Sequence, residues 1–290
     1  MTRRSAERVY IKTNMKPLKF AIVGLGFISD RHISAINSLG HELVCACDID
    51  PEKAYKANGV KFFDNFNDMV DSKEFRKVDY VSICTPNHLH FPMISECLLH
   101  SKKILCEKPP VINKGEFKLL KHNKDVKFVF QCRLADAINE LEFKGSEFHK
   151  VQMNIEVYRD EWYMKSWKAN DRQSGGLLYN IGVHYFDLLT LFFGDAKGGV
   201  LTVNKPRRCE GSVKFENAEV NFTVAIDAPI DKQKRIFKIN DNQLNLTQLG
   251  FESLHKRVYE HAIKDGGFIM EDFEPAHELI EKLYGTNRNS

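Results

Sequence analysis

A short apolar run, residues 19–23, leads straight into Gly24; a second glycine stands at Gly26, and helix-forming sequence follows from 28 to 39 before Gly40 ends it. This arrangement limits the fold more than any other stretch of the chain. An uninterrupted apolar strand must be covered on both faces, which a parallel sheet flanked by helices achieves. The alternation then repeats. Residues 43–47, 60–63, 80–84, 103–106 and 128–130 read as strands, and 51–58, 67–72, 92–100 and 114–122 as helices between most of them. Asp50 before Pro51 has the chemistry of a helix cap. Residues 17–133 are therefore predicted to form a doubly wound parallel sheet of the Rossmann type.

Residues 134–290 follow another pattern. A helix near 135–143 and a strand at 151–157 lead to a polar, aromatic loop and the apolar helix 177–193. Strand-like runs at 200–203, 212–215, 219–225, 235–239 and 243–247 predict a mostly antiparallel open sheet, and helices at 251–264 and 274–283 close the chain. The expectation is an α/β chain whose second unit is an α+β substrate-binding and oligomerisation domain. Residues 1–16 are polar, carry Arg3, Arg4 and Arg8, and lack the apolar core of a signal peptide, so a disordered leader is expected, with Met15 an alternative start.

With 290 residues there is room for two domains, and a net charge of +3 with no basic–aromatic run gives no reason to expect nucleic acid. Seven scattered cysteines read as reduced thiols, which points to the cytoplasm. No apolar run approaches the ~18 residues of a membrane span.

The predicted strands share one property. Gly24, Asp48, Thr85, Glu107 with Lys108, and Gln131 with Arg133 all fall at or just beyond their carboxyl ends, which in a doubly wound sheet form a single ligand-binding rim. Gly24, Gly26, Phe27 and Ile28 form the turn for a dinucleotide pyrophosphate at a helix N-terminus. Ser29 stands where glycine or alanine would favour close helix–strand packing. Asp48, followed by Ile49, suits ribose hydroxyls and repels a 2′-phosphate, and no cation adjoins it before Lys53; the cofactor expected is NAD. Thr85, Pro86, Asn87 and His90 are placed to flank the nicotinamide half. His88 and His90 lack the companions of a metal set and read as capping and packing residues, so no metal is expected. Glu107 stands between a ribose contact and a solvated strand end.

Asn180, His184 and Asp187 recur at i, i+4 and i+7 on the apolar helix and so share one face. Asp187 reads as an orienting group. Both tryptophans, Trp162 and Trp167, lie in a loop with Arg159, Tyr163, Lys165, Ser166, Lys168 and Arg172. Aromatic faces stack on sugar or uracil, and cations meet diphosphate and carboxylate.

The Gly24–Ile28 turn, Thr85 to His88, Glu107-Lys108-Pro109 and the run from Gly182 to Asp187 resemble the glucose–fructose oxidoreductase/inositol dehydrogenase family. The runs 162–168, 180–187 and 79–84 are similar to its UDP-N-acetylglucosaminuronic acid 3-dehydrogenases of surface-polysaccharide (O-antigen type) pathways. The resemblance implies NAD-dependent oxidation of a sugar C3 hydroxyl, a UDP-linked acidic amino sugar as ligand, and a homo-oligomer, dimer or tetramer. It places Lys108, Arg133, Arg159, Trp162, Tyr163, Lys165, Ser166, Trp167, Asn180 and His184 at the substrate. Many members carry aspartate where this chain has Asn180, which leaves proton handling to Lys108 and His184. Residues 134–150 are short for the family. An ammonium at Lys108 would stabilise a developing oxyanion, and His184, with a reference pKa of ~6.5, is the natural base at neutral pH. The alternatives are a dehydrogenase of an inositol or free hexose, and a dinucleotide-binding regulator without catalysis.

Overall fold

The computed structural model describes residues 16–141, 147–244 and 251–285. The expected leader, the middle of the short 134–150 connection and the end of the 243–247 strand lie outside these residues.

Six strands make the first sheet: β1 (Lys19–Val23), β2 (Glu42–Cys47), β3 (Lys61–Phe63), β4 (Tyr80–Ile83), β5 (Lys103–Cys106) and β6 (Val126–Phe128). All pair in parallel in the order β3-β2-β1-β4-β5-β6, as the buried apolar runs required. The order reverses between β1 and β4, and a crevice opens there at the strands' carboxyl ends. The intervening helices are α1 (Ser29–Ser38), α2 (Phe66–Asp71), α3 (Lys73–Arg76), α4 (His90–Leu99) and α5 (Lys114–Leu120). Local caps fix their starts: Asn65, Ser72 and Asn113 side chains accept the first free N–H groups of α2, α3 and α5. Asp50 caps the 3₁₀ turn Pro51–Ala57 as its position predicted.

A short helix α6 (Asp136–Asn139) precedes the second sheet, made of β7 (His149–Glu156), β8 (Gly198–Lys205), β9 (Arg208–Lys214), β10 (Ala218–Ala225), β11 (Lys234–Ile239) and β12 (Asn242–Leu244). Its order is β12-β11-β7-β10-β9-β8; only β7 and β10 run parallel, because the chain between them crosses over through helices. Those helices are α7 (Glu161–Lys165), α8 (Asp171–Ser174) and α9 (Val183–Phe193), and a single π-helical turn, Leu178–Gly182, leads into α9. Residues 171–193 are long and apolar enough to cross a membrane by composition, but two thirds of their most apolar window is buried inside the protein, as in a core helix.

Two helices end the chain. The last, α11 (Met270–Gly285), packs on α9, while α10 (Phe251–Lys264) returns to the first sheet and packs on α1. There Val258, Tyr259 and Ala262 join Phe20, Ile22, Ala35 and Ile36 in a core on one face of the parallel sheet. The core on its other face runs on beneath the second sheet through Phe128, Phe130, Met153, Phe186 and Phe222.

Candidate active site

The turn after β1 is built on glycine of necessity. Gly24 has φ +88°, and a Cβ there would meet the Cys84 carbonyl carbon and oxygen at 2.8 Å. Nothing lies within 4 Å of where a Gly26 Cβ would stand, so the crevice approaches bare backbone at that point. Ser29 does not loosen the turn: its Oγ donates to Gly26 O at 2.6 Å and closes it. Phe27 and Ile49 are exposed on either side, 82% and 87%.

Asp48 is tied down on both oxygens. Oδ2 accepts from Leu25 N at 2.6 Å, Oδ1 accepts from Asp50 N at 2.9 Å, and Lys53 Nζ reaches them at 3.3 and 3.1 Å. Lys53, too far along the sequence to count as adjacent, is brought onto the carboxylate by the 3₁₀ turn. Asp48→Ala is therefore expected to weaken NADH binding by about 10–100-fold, since the turn loses its charged acceptor and the strand end the acceptor expected for a ribose. Lys53 would then stand bare, so NADPH should lose less; equal losses in parallel fluorescence titrations would remove the ribose from this strand end.

Beyond β4, Thr85 Oγ1 is buried with no hydrogen-bond partner among the described residues, and across the crevice Gln131 Oε1 is the same. Orphaned buried polar atoms at a rim are what a bound group would satisfy. Asn87 Nδ2 donates to Ser174 O at 2.8 Å and so ties the start of α4 to the second half of the chain. His90 bridges Pro109 O at 2.8 Å and Thr85 O at 3.0 Å, a packing role consistent with its sequence reading. Pro86 shapes the backbone between them.

Glu107 is not a solvated strand end. It is buried, with Oε1 at 3.0 Å from His32 Nε2 and 3.5 Å from His255 Nε2. Lys108, next in the chain, is half-buried, makes no ion pair among the described residues, and its charge acts on both Glu107 and His184. His184 lies in its field. Burial, then the Lys108 charge, lower the His184 pKa to about 3, so the ring is neutral at neutral pH and far less basic than a free histidine. Its Nε2 is 3.5 Å from Gln131 Nε2.

Five residues expected at the substrate have partners within the protein. Arg133 donates to Asp187 at 2.9 and 2.6 Å and to Asp272 O at 2.6 Å; it locks α11 to α9, with Asp187 as its orienting partner. The Tyr163 hydroxyl is buried and accepts from Asn180 Nδ2 at 2.6 Å, so the pair bolts the aromatic loop to the π turn. Ser166 Oγ donates to Tyr163 O. Lys165 points outward and pairs with Glu161 on its own helix at 2.9 Å. Sequence spacing could not show these commitments, since each needs a partner from another element or the outward face of a short helix.

Arg159 and both tryptophans do gather around one cation, but it is Lys168. Its Nζ lies 5.1 Å from the Trp162 ring and 5.9 Å from Trp167, and Arg159 stacks over Tyr163 at 5.7 Å. Burial lowers the Lys168 pKa, with the charges of Arg159 and Lys108 acting in the same direction. Lys168 thus sits in the fields of both other cations. Lys168 was visible in the loop, yet only the fold distinguishes it from Lys165. His32, His255 and Tyr259 were not legible as site residues at all, because they converge from α1 and α10.

A parallel sheet with this glycine turn, a strand-end carboxylate and a lysine–histidine pair over the rim defines a dinucleotide-dependent oxidoreductase. The chain belongs to the oxidoreductase family typified by glucose–fructose oxidoreductase and inositol dehydrogenase: residues 18–127 match its NAD-binding Rossmann fold and residues 147–230 its C-terminal α/β domain. It is similar to the WlbA (WbpB) dehydrogenase of Thermus thermophilus, solved with NAD and UDP-GlcNAcA, at 30% identity and a TM-score of 0.81 over 91% of this chain and 93% of that one. The WlbA dehydrogenase of Bordetella pertussis, solved with NADH and UDP-GlcNAcA, shares the fold at 20% identity, with a TM-score of 0.80 over 94% of this chain and 96% of that one. Glucose-6-phosphate 3-dehydrogenase of Bacillus subtilis is 26% identical over 60% of this chain, and the match spans only 53% of that relative's length.

Proposed function

We propose that this chain is an NAD-dependent sugar dehydrogenase that oxidises the C3 hydroxyl of UDP-N-acetylglucosaminuronic acid to the 3-keto sugar. One observation carries the reading: the charges of Lys108 and Arg159 both act on Lys168, Lys108 also acts on His184, and none of the three cations makes an ion pair within 4.0 Å among the described residues. Such a cluster favours an anionic substrate, and the exposed Trp162 face offers a stacking surface beside it. The bare backbone at Gly26 and the orphaned Thr85 and Gln131 oxygens fit a dinucleotide, held at its ribose by Asp48. NAD, when bound, supplies the hydride acceptor.

The protein's own task is the alcohol proton. Lys108 faces the substrate oxygen and stabilises negative charge as it develops. While that charge is absent, Lys108 helps hold down the proton affinity of His184. The alcohol proton passes to His184 while negative charge develops on the oxygen beside Lys108; that charge offsets the ammonium and raises the ring's proton affinity as the transfer proceeds. The two groups therefore act as a unit in moving the proton. The polar outer face of β7, β8 and β10, lined by Gln152, Asn154, Thr202, Asn221 and Thr223, is the surface we assign to self-association.

The test is reduction of NAD by purified protein across a panel of nucleotide sugars, sugar phosphates, inositols and free hexoses. UDP-N-acetylglucosaminuronic acid should give the highest kcat/KM, with a 3-keto product by mass spectrometry. The cation cluster also suits a hexose phosphate, the substrate class of the Bacillus subtilis relative, so a sugar phosphate that wins would retain the chemistry and change the substrate. A neutral polyol that wins would remove the anionic reading. No reduction with any sugar, alongside intact NAD binding, would point to a regulator.

A further inference from the structure

Behind Lys108 lies a buried polar network that the proton chemistry above does not use. His32 on α1, Ser82 on β4, Glu107 after β5, and His255 and Tyr259 on α10 are all buried. Glu107 Oε1 meets His32 Nε2 and His255 Nε2. His32 Nδ1 is 2.9 Å from the Tyr259 hydroxyl, which is 2.6 Å from Ser82 Oγ.

An ionised carboxylate only accepts hydrogen bonds, and this sets the direction of the chain. His32 donates from Nε2, its Nδ1 accepts from the Tyr259 O–H, and Ser82 donates to the Tyr259 oxygen. Burial lowers the His32 pKa against the pull of Glu107, so a neutral ring with its proton on Nε2 satisfies every atom. The two histidine nitrogens and the carboxylate oxygen lie within 4.8 Å of one another, but His32 and Glu107 are at hydrogen-bond distance and Tyr259 satisfies the far ring nitrogen. Hydrogen bonds join Glu107, His32, Tyr259 and Ser82 in an unbroken chain, and His255 Nε2 approaches the same Glu107 oxygen at the longer distance of 3.5 Å.

We propose that His32, His255 and Tyr259 are positioning residues that hold Glu107 as a fixed anion behind Lys108, so that α10, from the end of the chain, completes the floor of the site. The inference rests on the assignment of proton handling to Lys108 and His184. Burial alone would raise the Glu107 pKa; the hydrogen bonds from His255 and His32 and the Lys108 charge outweigh it and hold the carboxyl well below the usual range. The Glu107 charge in turn acts on every titratable group around it. It favours the protonated forms of His90 on α4 and His184 on α9, and adds to burial in raising the Cys84, Cys106 and Tyr259 pKa values. Loss of the anion would remove the charge that opposes Lys108 at His184.

Three variants and two readouts on the full chain test this. Tyr259→Phe removes only the hydroxyl, His255→Leu removes a donor to Glu107, and His255→Gln restores a donor that does not titrate. In ¹⁵N-histidine spectra at neutral pH, the His32 ring should carry its proton on Nε2 alone, whether or not any sugar is turned over. In His255→Leu, burial is less opposed, so the acid limb of kcat/KM should move up by about one pH unit or more, with kcat at neutral pH down about tenfold. Tyr259→Phe should shift the limb in the same direction by less, and His255→Gln should return it most of the way. In a Lys108→Ala background, His255→Leu should add little. An unmoved limb in both Tyr259→Phe and His255→Leu, or a rate loss equal at every pH that tracks Tm, overturns the proposal. So does a His32 ring protonated on Nδ1 or on both nitrogens, or a stoichiometric zinc-class ion lost in His255→Leu. An active Lys108→Ala enzyme would instead overturn the proton-handling assignment and leave the spectral result standing.

Discussion

Lys108→Ala and His184→Ala are each expected to lower kcat by about 10²–10⁴-fold, the range for loss of a general acid–base group. NADH affinity should be nearly unchanged, because neither side chain reaches the glycine turn or Asp48. The double variant should be little worse than the worse single one, since the two groups act as a unit. Lys108→Arg should not restore turnover: guanidinium keeps the charge, but its planar fork does not present a compact charge to a single alcohol oxygen. The pH dependence separates the roles further. With its pKa lowered to about 3, His184 stays neutral through the neutral range, so the free enzyme's kcat/KM should show no acid limb near the ordinary histidine value. A limb at that ordinary value, abolished by His184→Ala, would show that the ring is solvated in the working enzyme. Stopped-flow reduction of NAD by wild type and the four variants across pH 5–9 makes the measurement.

Lys168→Ala and Arg159→Ala should each raise KM for the anionic sugar by about 10–100-fold, as expected for charge-assisted hydrogen bonds in a partly desolvated site. Lys165→Ala should change KM by less than about threefold, because an exposed pair within one helix is worth under ~1 kcal/mol. NADH affinity should not follow either change. The contrast between Lys165 and Lys168, three residues apart, is the informative part. Equal KM effects at the two positions would mean that the loop closes differently over its substrate, and no effect at Lys168 or Arg159 would return the aromatic loop to a purely structural role.

The legible part of the site is the part made by strand ends. Gly24, Asp48, Thr85, Lys108 and Gln131 could be placed on one rim from sequence because a doubly wound sheet has only one such edge, and each residue follows its own apolar run directly. The π turn escaped notice: an apolar helix of period near 3.6 looks the same whether or not its first turn is widened. Helical spacing grouped Asn180, His184 and Asp187, yet Asn180 holds Tyr163 and Asp187 holds Arg133. A shared helix face does not specify what each side chain meets.

The sequence by itself determined the layer architecture, the glycine turn, the rim and the lysine next to it, because strand burial, tight turns and strand-end placement are local in the chain. The tertiary structure alone decided which charges are spent and which are free. Arg133 is consumed by Asp187, Lys53 is delivered to Asp48, and Lys168 rather than Lys165 lies against Trp162 within reach of the Lys108 charge. It alone also brought His255 and Tyr259 back from the end of the chain to Glu107, 148 and 152 positions away by their numbering. A charge is neutralised by whatever lies within a few ångströms in space, and that distance is set by the packing of α10 on α1, which no local pattern encodes.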